Sequence, residues 1–162
     1  MAKRALAVVA LLIAAAIAGI ALHLAVATGD TMFSGKRPSY LGLKDGVLAS
    51  CRERLNCVSS NADPSDAQRY VAPIAFRGSA AEAIAAAHRA IEGMQRATVV
   101  RHEANYLHAE FRSKLMGFVD DLELTYDAQA GALQVRSASR LGRRDYGVNR
   151  ARVEALRARL RS

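Results

Sequence analysis

The chain opens on the longest unbroken hydrophobic stretch it contains: Ala5 to Leu22 is 18 consecutive apolar residues without a charge, and only His23 and Thr28 interrupt the pattern before Gly29. A helix crosses a hydrocarbon core in about 20 residues. Lys3 and Arg4 precede the run, an arrangement that holds the N-terminus in the cytoplasm. The pattern predicts a signal anchor over residues 1–27, forming an N-terminal transmembrane helix. Ala25-Val26-Ala27 also fits a small-x-small cleavage site, so a signal peptide removed near Ala27 is the alternative. Both readings export residues 28–162.

Past that run the periodicity breaks and then resumes. Residues 28–50 hold Gly29, Gly35, Pro38, Gly42 and Gly46, which interrupt any regular period and predict a linker and strap. Residues 51–162 read as a single α+β domain. Tyr70 to Phe76 predicts a short edge strand, since Pro73 is tolerated only at an edge. Ser79-Ala80-Ala81-Glu82 has the form of a capping box, followed by Ala80, Ile84, Ala87, Ile91 and Met94 at helical spacing. A helix is expected over 79–94.

Strands are expected at 97–102, 105–112, 118–126 and 132–139. Within the third, Leu122, Leu124 and Tyr126 share one face and Asp121 and Glu123 the other, with Asp120 opposed to Asp121. A loop over 128–131 pairs Leu124 with Val135, Glu123 with Arg136 and Asp120 with Ser139. Asn149 is then the expected N-cap of a last helix with Val153, Leu156 and Leu160 in its apolar stripe. The predicted fold is an antiparallel sheet of about four to five strands with two packed helices, after an N-terminal transmembrane helix.

Charge narrows the function classes. The formal net charge is +8, yet residues 28–139 balance 13 basic against 13 acidic side chains. Residues 140–162 hold eight arginines against Asp145 and Glu154. An excess confined to the chain ends is unlike the basic stripe of a nucleic-acid binder, so nucleic acid is not an expected partner. An Ala- and Arg-rich composition suits a bacterial envelope protein. The expected location is the bacterial inner membrane, single pass through residues 5–27, with the C-terminal domain in the periplasm.

Candidate chemistry is sparse. No P-loop, H-E-x-x-H, G-x-S-x-G or dinucleotide fingerprint is present. In an exported chain Cys51 and Cys57 more often form a disulfide than a metal site. His102 and His108 lie on neighbouring expected strands, but no third ligand suggests itself, so neither metal nor cofactor is expected. Asp120, Asp121 and Glu123 form an acidic cluster, readable as an acid/base site or as a cross-strand ion-pair ladder with Arg136 and Arg140. Arg136, Arg140, Arg143, Arg144 and Arg150 are placed to converge near the last helix's N-terminus and receive an anion, or to pair with the acidic strand.

Four segments in order carry a resemblance. They are Asn56-Cys57-Val58-Ser59-Ser60, Phe118-Val119-Asp120-Asp121-Leu122-Glu123, Arg136-Ser137-Ala138-Ser139-Arg140-Leu141-Gly142 and Asp145-Tyr146-Gly147-Val148-Asn149-Arg150-Ala151-Arg152-Val153-Glu154. Together they resemble the domain-of-unknown-function 1499 family over roughly residues 38–160. That family commonly has prolines beside both cysteines, where this chain has Cys51-Arg52-Glu53-Arg54-Leu55-Asn56. The resemblance implies that the two strands and the following loop form one surface, and it carries no activity with it.

Two functional expectations follow. The first is a membrane-tethered binding module, not an enzyme, that takes an anionic envelope ligand, a lipid or a partner protein through Asp120, Asp121, Glu123, Arg136, Arg140, Arg144, Asn149 and Arg150. The alternative is a carboxylate-dependent hydrolase or transferase using Asp120, Asp121 and Glu123.

Overall fold

The computed structural model describes residues 11–17, 33–51 and 54–161. The expected transmembrane helix falls largely outside these residues. Its one described part, residues 11–17, is helical and is labelled α1. Among the described residues no helix is long and apolar enough to cross a membrane, and the expected architecture is corrected on that point.

The remainder is α+β, as the alternating and helical patterns require. Its elements are β1 (Leu43–Lys44), β2 (Val47–Leu48), β3 (Cys57–Ser59), β4 (Ile74–Ala75), α2 (Ala80–Glu92), β5 (Ala97–Glu103), β6 (Tyr106–Arg112), β7 (Val119–Asp127), β8 (Ala132–Ser139) and α3 (Val148–Leu160). The main sheet is antiparallel and has six strands, in the order β3-β8-β7-β6-β5, with β4 also pairing β8. The expectation of four to five strands falls short by the strand that begins at the second cysteine, β3. Val58 and Ser59 of β3 lie opposite Ser137 and Arg136 of β8. A separate two-stranded hairpin, β1–β2, lies in the strap.

Helix α2 begins where its capping box places it. The Ser79 hydroxyl accepts from the Glu82 N–H, and the Glu82 carboxylate accepts from the Ser79 N–H at 2.7 Å. Its buried stripe of Ala83, Ile84, Ala87 and Ile91 packs with Val153 and Leu156 of α3 against Leu107, Leu122, Leu124, Leu133 and Val135 of the sheet. Burying each of the larger side chains stabilises the fold by roughly 1.5–3 kcal/mol. Helices thus cover one sheet face.

Asn149 is not the N-cap of α3. Gly147 holds that position in a left-handed conformation (φ 85°) with no side-chain cap, and Asp145 accepts from the Gly147 and Asn149 N–H groups. On β5 a bulge between Val99 and Arg101 shifts the pairing with β6. His102 stacks on His88 of α2 at 4.6 Å between centroids, while His108 faces the other way towards Asp121. The two histidines therefore do not meet.

Candidate functional site

Alternation along β6, β7 and β8 gives the sheet's second face a polar character. Tyr106, His108 and Glu110 project there from β6, Asp121 and Glu123 from β7, and Arg136 and Arg140 from the last strand and its end. Residues 37–48 cross over this face. The turn of their hairpin is Asp45-Gly46, both at positive φ (54° and 79°), which is the geometry of a tight two-residue hairpin turn.

Two ion-pair groups lie beneath this cover. Glu123 is fully buried. It accepts from the Tyr106 hydroxyl (2.8 Å) and the Gly42 N–H (2.8 Å) through one oxygen, and from Arg136 Nη1 (2.9 Å) through the other. The Arg136 guanidinium also lies over the Tyr40 ring, 5.1 Å from its centroid. Asp121 accepts from Arg140 Nη2 (2.8 Å) and Nε (2.9 Å), and His108 Nε2 lies 2.8 Å from its Oδ1. Arg140 also bonds Glu110, which Arg37 of the strap binds from above through its Nε at 2.9 Å. Three carboxylates thus meet three guanidinium groups.

This balance shifts the titration of Asp121, Glu110 and Tyr106. Burial pushes the Asp121 carboxyl up, but hydrogen bonds from Arg140 and His108 outweigh it and hold the group below its ordinary value. Glu110 is held low in the same way, with burial opposed by Arg37 and Arg140. For Tyr106, burial and the Glu123 charge act together and push the phenol up.

The acidic cluster does not converge. Asp120 points to the helix face and is paired by Arg152 Nη2 at 2.5 Å. Asp121 and Glu123 share the opposite face, each engaged by its own arginine. The cross-strand ladder is therefore the arrangement present, and the acid/base reading finds no free carboxylate in it.

His108, Glu110 and Asp121 can bring one ligand atom each within 4.8 Å of one another. Glu110 is the third ligand that spacing alone did not suggest. Arg140 bonds both carboxylates, so a divalent cation would have to displace a guanidinium from the place that balances them.

The arginine loop divides as well. Arg136 and Arg140 are spent on the ladder. Arg150 Nη2 donates to the carbonyls of Tyr70 (2.7 Å) and Ala67 (3.0 Å), so it holds the 67–70 segment and is not free at the helix end. Asn149 is buried. It accepts from Ser137 Oγ (2.6 Å) and donates to the Asn56 carbonyl (3.1 Å). Asn56 in turn donates to the carbonyls of Ser139, Leu141 and Gly142. These two asparagines join the disulfide loop to the end of β8 and the start of α3, and they act as staples.

Arg143 and Arg144 are exposed and, with Arg54, Arg140, Leu55 and Leu141, border an open cleft of about 1310 Å³. Among the described residues Arg54, Arg143 and Arg144 form no ion pair. The cleft wall is fixed by Leu55, whose N–H donates to the Arg143 carbonyl at 3.0 Å. It is pinned further by the Cys51–Cys57 disulfide, with Cα atoms 5.5 Å apart. A smaller cavity of about 180 Å³ adjoins, sharing Arg54 and reaching Arg136, whose buried Nε has no partner among the described residues.

Such a chain is an α+β domain with a closed ion-pair face and an open arginine cleft. The sequence profile described as "Protein of unknown function (DUF1499)" matches residues 47–160, and the chain belongs to that family. No curated protein and no solved structure matches it significantly. The matched region holds the ladder of β6–β8, the disulfide and the arginine loop. Arg37, Tyr40 and Gly42, which close the ladder from above, precede it.

Proposed function

We propose that this protein is an exported, non-catalytic binding module that takes an anionic group in the cleft between the disulfide loop and residues 140–144. The observation that carries the reading is the set of Arg54, Arg143 and Arg144 around one cleft, without a carboxylate partner among the described residues. Guanidinium forks recognise phosphate and carboxylate oxygens by paired, charge-assisted hydrogen bonds. Arg140 supplies the fixed inner wall, and Asp121, Glu123 and Arg136 act as its foundation and make no ligand contact. The disulfide supports export, since such bonds persist in oxidising compartments. The periplasmic side of a bacterial inner membrane fits that chemistry.

The test is calorimetric titration of the full chain with inorganic pyrophosphate. Replacing Arg143→Glu and Arg144→Glu together should weaken binding about tenfold or more, because hydrogen bonds between charged groups contribute about 1.5–3 kcal/mol each. Equal affinity in the variant, or no heat from the native protein, would sink the reading.

A further inference from the structure

One end of the sheet exposes apolar side chains beside basic ones. The loop between β6 and β7 presents Leu115 at 92% exposure, Met116 at 47% and Phe118 at 38%. This loop is tied at its base: the Ser113 N–H donates to the Phe118 carbonyl at 2.8 Å, and the Phe118 N–H donates to Ser113 Oγ at 2.9 Å. Its apolar tip is therefore held outward by the fold. Phe33 packs against Phe118 with the rings tilted by 52° and their centroids 5.4 Å apart. Gly35 sits so close to Leu141 that a Cβ at Gly35 would meet Leu141 Cγ at 3.0 Å. The Arg140 N–H donates to the Val119 carbonyl at 3.1 Å, which brings the arginine loop to the same end.

The charge around this loop is predominantly positive. Lys36, Lys114, Arg54, Arg143 and Arg144 are exposed. Among the described residues of segments 33–36, 54–55, 113–118 and 140–146, Asp145 is the single carboxylate, and its oxygens accept the Gly147 and Asn149 N–H groups. Apolar tips ringed by cations match a bilayer interface, where acyl chains lie beneath anionic headgroups. A second copy of this surface would meet it with like charge. The chain also enters the described domain at this end.

We infer that this end of the domain docks on an anionic phospholipid surface, with Leu115 and Met116 entering the interfacial layer and Lys36, Lys114, Arg143 and Arg144 meeting lipid phosphates. The inference rests on the arginine-cleft reading for the headgroup contacts, while the apolar tip is an observation of its own. It narrows the anionic ligand to a phospholipid in a bilayer, and it gives the domain an orientation, with β7 standing away from the membrane and the turn at 128–131 furthest from it.

The experiment uses the full chain with its native cysteines paired. An environment-sensitive fluorophore is attached at Met116→Cys or, as the distant reference, at Gln129→Cys in the exposed β7–β8 turn. The two positions are separated by the nine-residue strand β7, about 30 Å. Each protein is mixed with nanodiscs of phosphatidylcholine alone or with phosphatidylglycerol, carrying nitroxide at the headgroup level. In anionic discs the label at 116 should be quenched at least twofold more than the label at 129. Adding Arg143→Glu and Arg144→Glu should return it towards the phosphatidylcholine value. Equal quenching at both positions in anionic discs overturns the proposal. So does a 116 label shielded from aqueous iodide yet untouched by nitroxide lipid, which would point to a protein partner. Pyrophosphate titration separates the two readings: retained pyrophosphate binding with an unquenched 116 label leaves the cleft standing and removes the membrane.

Discussion

Arg140 and Arg144 border the same cleft four residues apart, and they live in opposite physical regimes. Arg140 is shielded from water and bonds Asp121 and Glu110 at once. Arg144 is exposed and, among the described residues, has no ion pair. The contrast extends to their surroundings. On the sheet face, Glu110, Asp121 and Glu123 balance Arg37, Arg136 and Arg140 beneath a strap. At the sheet end, cations outnumber carboxylates and apolar residues stand exposed. A charge in the first region is tied to folding, because burying it is tolerable only with its partner in place. In the second region a charge costs little to keep and is available to something outside the chain.

The sharpest way to break the comparison is to unpair the buried face. Glu123→Ala leaves the Arg136 guanidinium buried without its carboxylate. It should destabilise the domain by about 3–5 kcal/mol, read from urea unfolding midpoints. The double replacement Glu123→Leu with Arg136→Leu should lose much less than that single change, since removing both charges removes the desolvation problem. A double variant as unstable as the single one would mean that the pair is required as such.

How far the sequence foretold these regions follows from the range of the signals. Local and period-two signals were legible: the capping box at Ser79, the register of Leu124 with Val135 and Glu123 with Arg136, and the opposition of Asp120 to Asp121 all stand in the structure. What was not legible came from distant segments. Tyr40 and Gly42 reach Arg136 and Glu123 across more than 80 positions, and no periodicity encodes that. β3 is a three-residue strand that becomes one only by pairing with β8. One local signal went unread. Asp45-Gly46 between short apolar segments is a strong hairpin cue, and it forms the β1–β2 turn. Asn149 misled because the N-cap preference for asparagine is a surface rule, and here the side chain is taken up by Asn56 and Ser137.

The disulfide tests the join between the two regions. Replacing Cys51 and Cys57 with serine should cost about 2 kcal/mol, the value for a short closed loop, again read by urea unfolding. Because Leu55 fixes one cleft wall, the same variant should also weaken pyrophosphate binding. Unchanged binding would show that the hydrogen bonds of Asn56 hold the wall without the covalent link.

Acid probes the buried carboxylates together with Asp63, Asp66, Glu82 and Asp127, which local hydrogen bonds also hold low. Asp121 and Glu110 are held below their unfolded values, so the unfolded chain binds more protons as pH falls through about 4. Their contribution is fully present above the unfolded carboxylate range and is lost as pH drops through the lower folded values. The urea midpoint should therefore decline on that acid limb. In Asp121→Asn, which starts from a lower midpoint, the decline should be shallower; a limb of unchanged steepness would place the acid sensitivity in other carboxylates.

The smallest expected effects separate packing from availability. Ser79→Ala removes the two hydroxyl hydrogen bonds of the cap, far from both regions, and should cost about 1 kcal/mol, which calibrates the scale. Arg143→Ala with Arg144→Ala should shift stability by no more than about 0.5 kcal/mol, since neither side chain has an ion-pair partner to lose among the described residues. The result matters more for its smallness than for its sign. Were the pair to cost several kcal/mol, these arginines would belong to the folding of the arginine loop, and the cleft would have no cations to spare for a ligand. A near-zero change, joined to weakened pyrophosphate binding, would leave ligand capture as the physical role for two adjacent, exposed guanidinium groups beside an apolar rim.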